Sequence, residues 1–259
     1  MFAQPRFRMA LCRGLKSSKT DFYMERIDKI ISSHFNITRS EAKSLIKNGA
    51  VILNGTVVKN AGEKADPACD KISVNGKAVE YCEFVYIMMN KPKGVISSTD
   101  GRKTNEKTVV DILPEDMKRR GVFPAGRLDK NTTGFVLLTN DGTFAHNILS
   151  PKKHIPKEYI AELDTPFDEN IILQFEKGVD IGGEICLPAE LSPCENDYKK
   201  ARIIIRQGRY HQIKRMFCAF GIKVVELKRI SMGSLALDEN LAEGDCRYLT
   251  SKEVDKIIK

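Results

Sequence analysis

Apolar positions follow two different periods along the chain, and the change falls near residue 84. From Met24, the residues Ile27, Ile30 and Ile31 recur at the spacing of one helix face. Thr38-Arg-Ser-Glu41 has the form of a capping box, in which hydroxyl and carboxylate each satisfy the other residue's orphan backbone N–H. The helix it opens carries Ala42, Leu45 and Ile46 on one side and Arg39, Lys43 and Lys47 on another, with Gly49 placed to end it. Val51-Ile-Leu-Asn-Gly-Thr-Val-Val58 then reads as a hairpin, because a type I′ turn needs positive φ at both central residues and Asn54-Gly55 supplies them.

Residues 60–81 are rich in Gly, Lys, Asp and Asn, with a second turn expected at Asn75-Gly76, so a domain boundary is placed near residues 80–84. Beyond it, β-like runs at 84–89, 135–139, 157–163, 202–205 and 223–227 mix with helical stretches, without regular βαβ alternation. This predicts an α+β fold with a mostly antiparallel sheet. The stretch Gln207-Gly-Arg-Tyr-His-Gln-Ile-Lys-Arg-Met-Phe217, read as a helix ending near Gly221, puts Ile213, Met216, Phe217 and Phe220 on a core face. Lys214 falls just beside that face and can reach a half-buried site. Arg215 points nearly opposite, and reads equally as a surface cation or a phosphate contact.

Composition narrows the partners. The 259 residues suffice for two ordinary domains, and the apolar run Phe84–Met89 is far too short to cross a bilayer. The formal net charge of +8 favours a polyanionic partner. From Lys199 to Arg229 there are ten Lys or Arg against one acid, Glu226, which points to nucleic acid more than to a solvated face. Seven scattered cysteines and four histidines show no zinc spacing and no secreted disulfide framework, so no metal is expected and a cytoplasmic location is. Residues 1–23 form a basic extension, expected to be disordered, and Met24 opens the first patterned segment.

The chemistry concentrates in "AGRLDKNTTGFVLLTNDG", residues 125–142, where Asp129 stands between Arg127 and Lys130 ahead of a polar loop. Asn140-Asp141-Gly142 at its end reads as turn chemistry and is taken as structural. Lys157-Glu-Tyr159 opens another β-like run. From pattern alone Tyr159 is equally a core aromatic, and Ile213 is core.

Two short helices feeding a hairpin, with a basic helix face, resemble the S4 RNA-binding domain. Together with Met89-Asn-Lys-Pro-Lys-Gly94, Gly126-Arg-Leu-Asp129, Thr132-Thr-Gly134, Lys157-x-Tyr159 and Gly208-Arg-Tyr-His-Gln-Ile-Lys-Arg215, the chain resembles the pseudouridine synthases of the RsuA type from Met24 onward. The Asn-Thr-Thr-Gly loop, Ser150-Pro151 and the Met-Asn-Lys-Pro segment are more similar to the members acting on small-subunit (16S) rRNA, whose target is U516, than to their large-subunit relatives. The resemblance implies an S4-like domain over residues 24–82, linker included, and a catalytic domain over 83–259 with a central cleft.

It also implies roles. These enzymes detach uracil from ribose, rotate it and reattach it through carbon 5, with no metal and no cofactor. Asp129 becomes the essential acid, either as nucleophile or as the base that removes a ribose proton. Lys214 matches the cation that keeps it ionised, and Tyr159 the aromatic packed on the target base. Ile213 supports the ring and Arg127 fills the vacated stack. Thr132 and Thr133 shape the substrate site, with Gly134 permitting the turn, and Arg209 and Arg215 add substrate contacts. Arg39, Lys43 and Lys47 would track an RNA backbone. The implied partner is ribosomal RNA, free or in a partly assembled small subunit, met by a monomer. A large-subunit (23S) synthase, a non-catalytic rRNA-binding assembly factor and a uracil-releasing N-glycosidase are the alternatives.

Overall fold

The computed structural model describes residues 24–67, 69–79, 83–101, 105–115, 117–119, 121–150 and 153–258. The basic extension 1–23, most of the expected boundary and Pro151 lie outside the described residues. The chain divides into two compact units, one running to Val85 and including Pro114–Val122, the other formed by Tyr86–Leu113 and Phe123–Lys259.

In the first unit, β1 (Glu25–Arg26) leads into α1 (Ile27–His34) and α2 (Arg39–Lys47). Then come β2 (Val51–Leu53), β3 (Thr56–Val57), β4 (Lys64–Ala65), β5 (Ile72–Val74) and β6 (Lys77–Ala78). The sheet order is β3-β2-β5-β6, all antiparallel, while β1 pairs β4. Ile27, Ile30 and Ile31 are fully buried against Ala42, Ile46, Val51 and Val74. The capping box forms as expected: Glu41 N–H donates to Thr38 Oγ1 (3.2 Å) and Thr38 N–H to Glu41 Oε2 (2.7 Å). Asn54 and Gly55 turn the hairpin at φ +49° and +87°, values that only Gly and Asn adopt readily.

The second unit is a sheet with helices. Its strands are β7 (Tyr86–Lys91), β8 (Phe123–Pro124), β9 (Thr133–Thr139), β10 (Lys157–Leu163), β11 (Glu190–Cys194), β12 (Asp197–Ile205), β13 (Val224–Met232), β14 (Leu235–Ala236) and β15 (Cys246–Tyr248). Its helices are α3 (Gly142–Leu149), α4 (Glu169–Lys177), α5 (Gln212–Cys218) and α6 (Ser251–Ile258). The order is β11-β12-β10-β13-β9-β7-β15, with β14 on β13 and β8 on β9. Pairing is antiparallel except between β13 and β9, so the sheet is mixed and mostly antiparallel, as the pattern predicted.

Strand β9 is buried along its whole length, which is why it reads as a continuous apolar run and not as an alternation. Phe135 and Leu137 enter a core with Met88, Phe144, Met232 and Ile257. Two details differ from the sequence reading. Asp141 is the N-cap of α3: it accepts from Phe144 N–H at 2.8 Å and from the Tyr86 hydroxyl at 2.7 Å. Helix α5 also ends earlier than expected, so Phe220 sits half-buried in the following turn, its N–H on the Phe217 carbonyl (2.9 Å).

Candidate active site

Asp129 lies on the loop that enters β9. Its carboxylate faces two side chains from the start of α5: Oδ1 is 3.4 Å from His211 Nε2, and Oδ2 is 3.9 Å from Lys214 Nζ. These separations exceed normal hydrogen bonds, so the acid is bracketed but keeps its lone pairs available. Its side chain is 29% exposed, partly dry yet reachable. His211 holds φ +49°, a left-handed conformation uncommon outside glycine, and serves as the N-cap position of α5.

The loop is tied down along its length. Ser97 Oγ donates to the Leu128 carbonyl and accepts from Leu128 N–H, both at 3.0 Å. Gly94 N–H donates to the Lys130 carbonyl at 2.9 Å. Lys91, fully buried at the end of β7, donates from Nζ to the carbonyls of Pro92 (2.9 Å), Lys130 (3.1 Å) and Thr132 (2.9 Å). Burial pulls the Lys91 ammonium down to about 8, against the attraction of Asp129 and Glu243. Lys130 itself turns outward to Glu106 at 2.6 Å. A charge-assisted fork of this kind orients backbone dipoles more firmly than neutral bonds do.

Lys91 and His211 lie inside the motifs Met89–Gly94 and Gly208–Arg215, where neither was expected to have a role of its own. Lys91 gave little signal, since it follows Asn90 at the end of the apolar run and precedes Pro92, where a lysine ordinarily reads as exposed. His211 carried none, since its proximity to Asp129 depends on the sheet.

The other expected positions fall as follows. Thr132 and Thr133 are buried, with Thr132 N–H on the Asp129 carbonyl (3.0 Å) and Thr132 Oγ1 lacking a hydrogen-bond partner among the described residues. Gly134 does more than permit a turn. At φ +97° it lies so near β13 that a Cβ would meet the Arg229 carbonyl oxygen at 2.2 Å. Tyr159 is buried, directly across the strand pair from Arg229. Arg229 is itself only 1% exposed and donates from Nε to the Phe135 carbonyl at 2.7 Å. Burial, with Arg229 as a second cause, lowers Lys157 to about 8. Ile213 is core-facing at 3% exposure, and Arg127 is exposed.

Two cations depart from expectation. Arg215 does not stand free in solvent but donates from Nη2 to the Ile181 carbonyl. Arg209 pairs with Glu184 at 2.7 Å. The ten-to-one charge window overstates the basic surface for the same reason. Arg202 and Arg206 are ion-paired with Glu158 and Glu190, acids outside the window, and Arg229 is buried. On the first unit, Arg39, Lys43 and Lys47 are exposed. Lys43, Lys47 and Lys59 also line a concavity of ≈ 490 Å³ whose floor includes Ile46 and Val58.

Comparison with known proteins follows the same division. The model of the RNA pseudouridylate synthase family matches residues 85–219, and that of the S4 domain matches residues 25–72. The chain belongs to the RNA pseudouridylate synthase family. It is 45% identical to the RNA pseudouridine synthase YtzG of Bacillus subtilis over 88% of this chain and 96% of that protein. It is 37% identical to ribosomal small subunit pseudouridine synthase A of Escherichia coli, over 90% of this chain and 100% of that one. A crystal structure of a pseudouridylate synthase superposes with a TM-score of 0.62 at 38% identity, covering 90% of this chain and 99% of the other. The synthase is therefore an isomerase of RsuA type with an S4 domain, and the bracketed carboxylate lies in its catalytic unit. Among the described residues no helix is long and apolar enough to cross a membrane.

Proposed function

We propose that this synthase converts a uridine of small-subunit ribosomal RNA to pseudouridine, with Asp129 as the reacting acid. The observation that carries the reading is a single carboxylate held between His211 and Lys214 on a loop pinned by a buried ammonium. The small-subunit preference is supported by the relatives from Haemophilus influenzae and Escherichia coli, each matched over its full length.

The reaction breaks the N1–C1′ bond, turns the uracil and forms a C5–C1′ bond. The C5 hydrogen leaves as a proton while N1 gains one, so no electrons are exchanged and no cofactor is called for. A carboxylate can serve as nucleophile or as the base for a ribose proton, and the bracketing geometry suits both. When RNA covers the site and excludes water, the Lys214 ammonium 3.9 Å away offsets part of the hydration that the carboxylate loses. Tyr159 packs on the detached ring, with Ile213 beside it. Arg127, two residues before the acid, fills the space that the uridine vacates, its planar guanidinium suiting both stacking and phosphate. Thr132 and Thr133 shape the site, Arg209 and Arg215 meet substrate at its edge, and Arg39, Lys43 and Lys47 dock the RNA backbone.

The test is tritium release from 16S rRNA labelled at uridine C5. Wild type should release label and Asp129→Asn should not. Release from 23S rRNA in place of 16S would move the substrate to the large subunit. Release from neither, or free uracil among the products, would overturn the isomerase reading for this chain.

A further inference from the structure

Among the described residues Tyr210 is the large aromatic that stands in the open. It is 73% exposed, although it directly precedes a residue at the catalytic carboxylate. It is not a loose surface side chain. Its ring stacks on His211 with centroids 3.9 Å apart and planes 18° from parallel. The left-handed backbone of His211 lets one imidazole serve two neighbours, presenting a face to Tyr210 and Nε2 to Asp129 at 3.4 Å. A strained residue at such a position is a reason to look for function.

The result is an ordered series of carboxylate, imidazole and phenol, in which one face of Tyr210 is covered and the rest of the ring is open. Arg209, Lys214 and Arg215 flank Tyr210 in sequence; Glu184, Asp129 and the Ile181 carbonyl engage them in turn, so three cations stand against two acids and the net charge is positive. An open aromatic plane in a cationic setting fits a nucleobase on a phosphate strand, since every base offers a π-face and every linkage a negative charge.

We propose that the open face of Tyr210 is a stacking platform for a nucleobase adjacent to the target uridine. The inference rests on the proposed RNA reaction and adds to it a second base-binding position. Extracting a uridine from its stack deprives the neighbouring base of a partner, which is part of the cost of flipping. With Arg127 filling the vacated space inside the stack, Tyr210, a single ring away from Asp129, offers a second plane to a flanking base displaced along with the uridine. His211 then acts as a positioning residue that fixes the plane of the platform relative to the acid.

The experiment compares wild type with Tyr210→Phe, Tyr210→Ala and Tyr210→Leu. It uses filter binding to a 16S rRNA transcript and single-turnover tritium release against enzyme concentration. Loss of the ring should weaken binding and raise the half-saturating concentration about 5- to 150-fold, with the plateau rate within about twofold of wild type. Tyr210→Phe should behave as wild type, and Tyr210→Leu, which keeps bulk without a π-face, should behave as Tyr210→Ala. Unchanged affinity in Tyr210→Ala, wild-type affinity in Tyr210→Leu, or an equal loss in Tyr210→Phe would overturn the platform. So would a fall in plateau rate at constant affinity, which would mean that the ring acts through His211 on Asp129. A wild type that binds the transcript without isomerising it would sink the functional reading instead, and the affinity series would still test the platform.

Discussion

In the first unit Arg39, Lys43 and Lys47 stand exposed along one helix, whereas in the second Lys91, Lys157 and Arg229 are buried among the strands that carry the site. The exposed set follows a local rule: a helical repeat of four placed next to a good cap. Its charges are solvated and interchangeable, suited to a polyanion whose phosphates repeat. The buried set belongs to no local pattern. Each ammonium or guanidinium is committed to particular carbonyls, so its charge organises the protein before any RNA arrives. The same residue types therefore stand solvated in one unit and committed to backbone geometry in the other.

Lys214 lies between these extremes, and removing it should have the largest effect. Lys214→Met is expected to lower the single-turnover rate on the order of 10²-fold or more while changing RNA affinity little, as the loss of a preorganised charge at a reacting centre does. A loss confined to affinity would reclassify Lys214 with the solvated cations of the first unit.

Lys91 tests the buried side of the comparison. Lys91→Met removes the donor shared by the carbonyls of Pro92, Lys130 and Thr132; Lys130 keeps the Gly94 N–H, and each of the other two left unsatisfied costs about 1–3 kcal/mol. A lower melting temperature and a slower reaction are both expected. The wild type offers a milder version through pH. Since burial lowers Lys91 to about 8 from 10.5, the folded state binds fewer protons than the unfolded state between those values. The contributions of Lys91 and Lys157 to stability therefore rise with pH across that window, while the penalty of burying the ammonium is fully present below about 8. Activity should move the other way, because a neutral amine has too few hydrogens for three carbonyls. Urea melts and rate profiles from pH 7 to 9.5 should thus diverge, and parallel curves would remove Lys91 from control of the Asp129 loop.

These contrasts also explain what could be read from the chain. The capping box at Thr38, the turns at Asn54 and Asn75 and the strand at 157–163 depend on neighbours within a few residues, and each was legible. Asp129 was legible through its motif. Its bracketing by His211 was not, because 82 positions of chain separate the two and the strand order β12-β10-β13-β9 brings their loops together. The charge window misled for the same reason: the acids paired with Arg202, Arg206 and Arg209 lie elsewhere in the sequence. Gly134 looked like a turn residue, whereas its constraint comes from the backbone of a strand about a hundred residues away.

The solvated cations should give a smaller and differently shaped response. Replacing Lys43 and Lys47 together by Ala should weaken RNA binding and reduce the slope of log K against log salt by roughly 1.4 to 1.8, leaving the rate at saturating enzyme unchanged. The loss should be similar for unrelated RNA sequences. An unchanged slope would detach the first unit from docking and leave the cations of the second unit to account for affinity.

The smallest effect separates folding of the first unit from its charge. Thr38→Ala removes one half of the capping box and should cost about 1 kcal/mol, read as a lower unfolding midpoint. Hydrogen bonds from the Thr38 backbone and hydroxyl hold Glu41 below the usual carboxylate range. That contribution is therefore present above the ordinary carboxyl value and is lost as pH falls through the lowered one. The gap between Thr38→Ala and wild type should shrink on acidification, whereas the Lys43 and Lys47 effect on binding should persist. If the gap is constant with pH, the hydroxyl's bond to the Glu41 carboxylate contributes nothing, and the threonine side chain caps solely by accepting from Glu41 N–H.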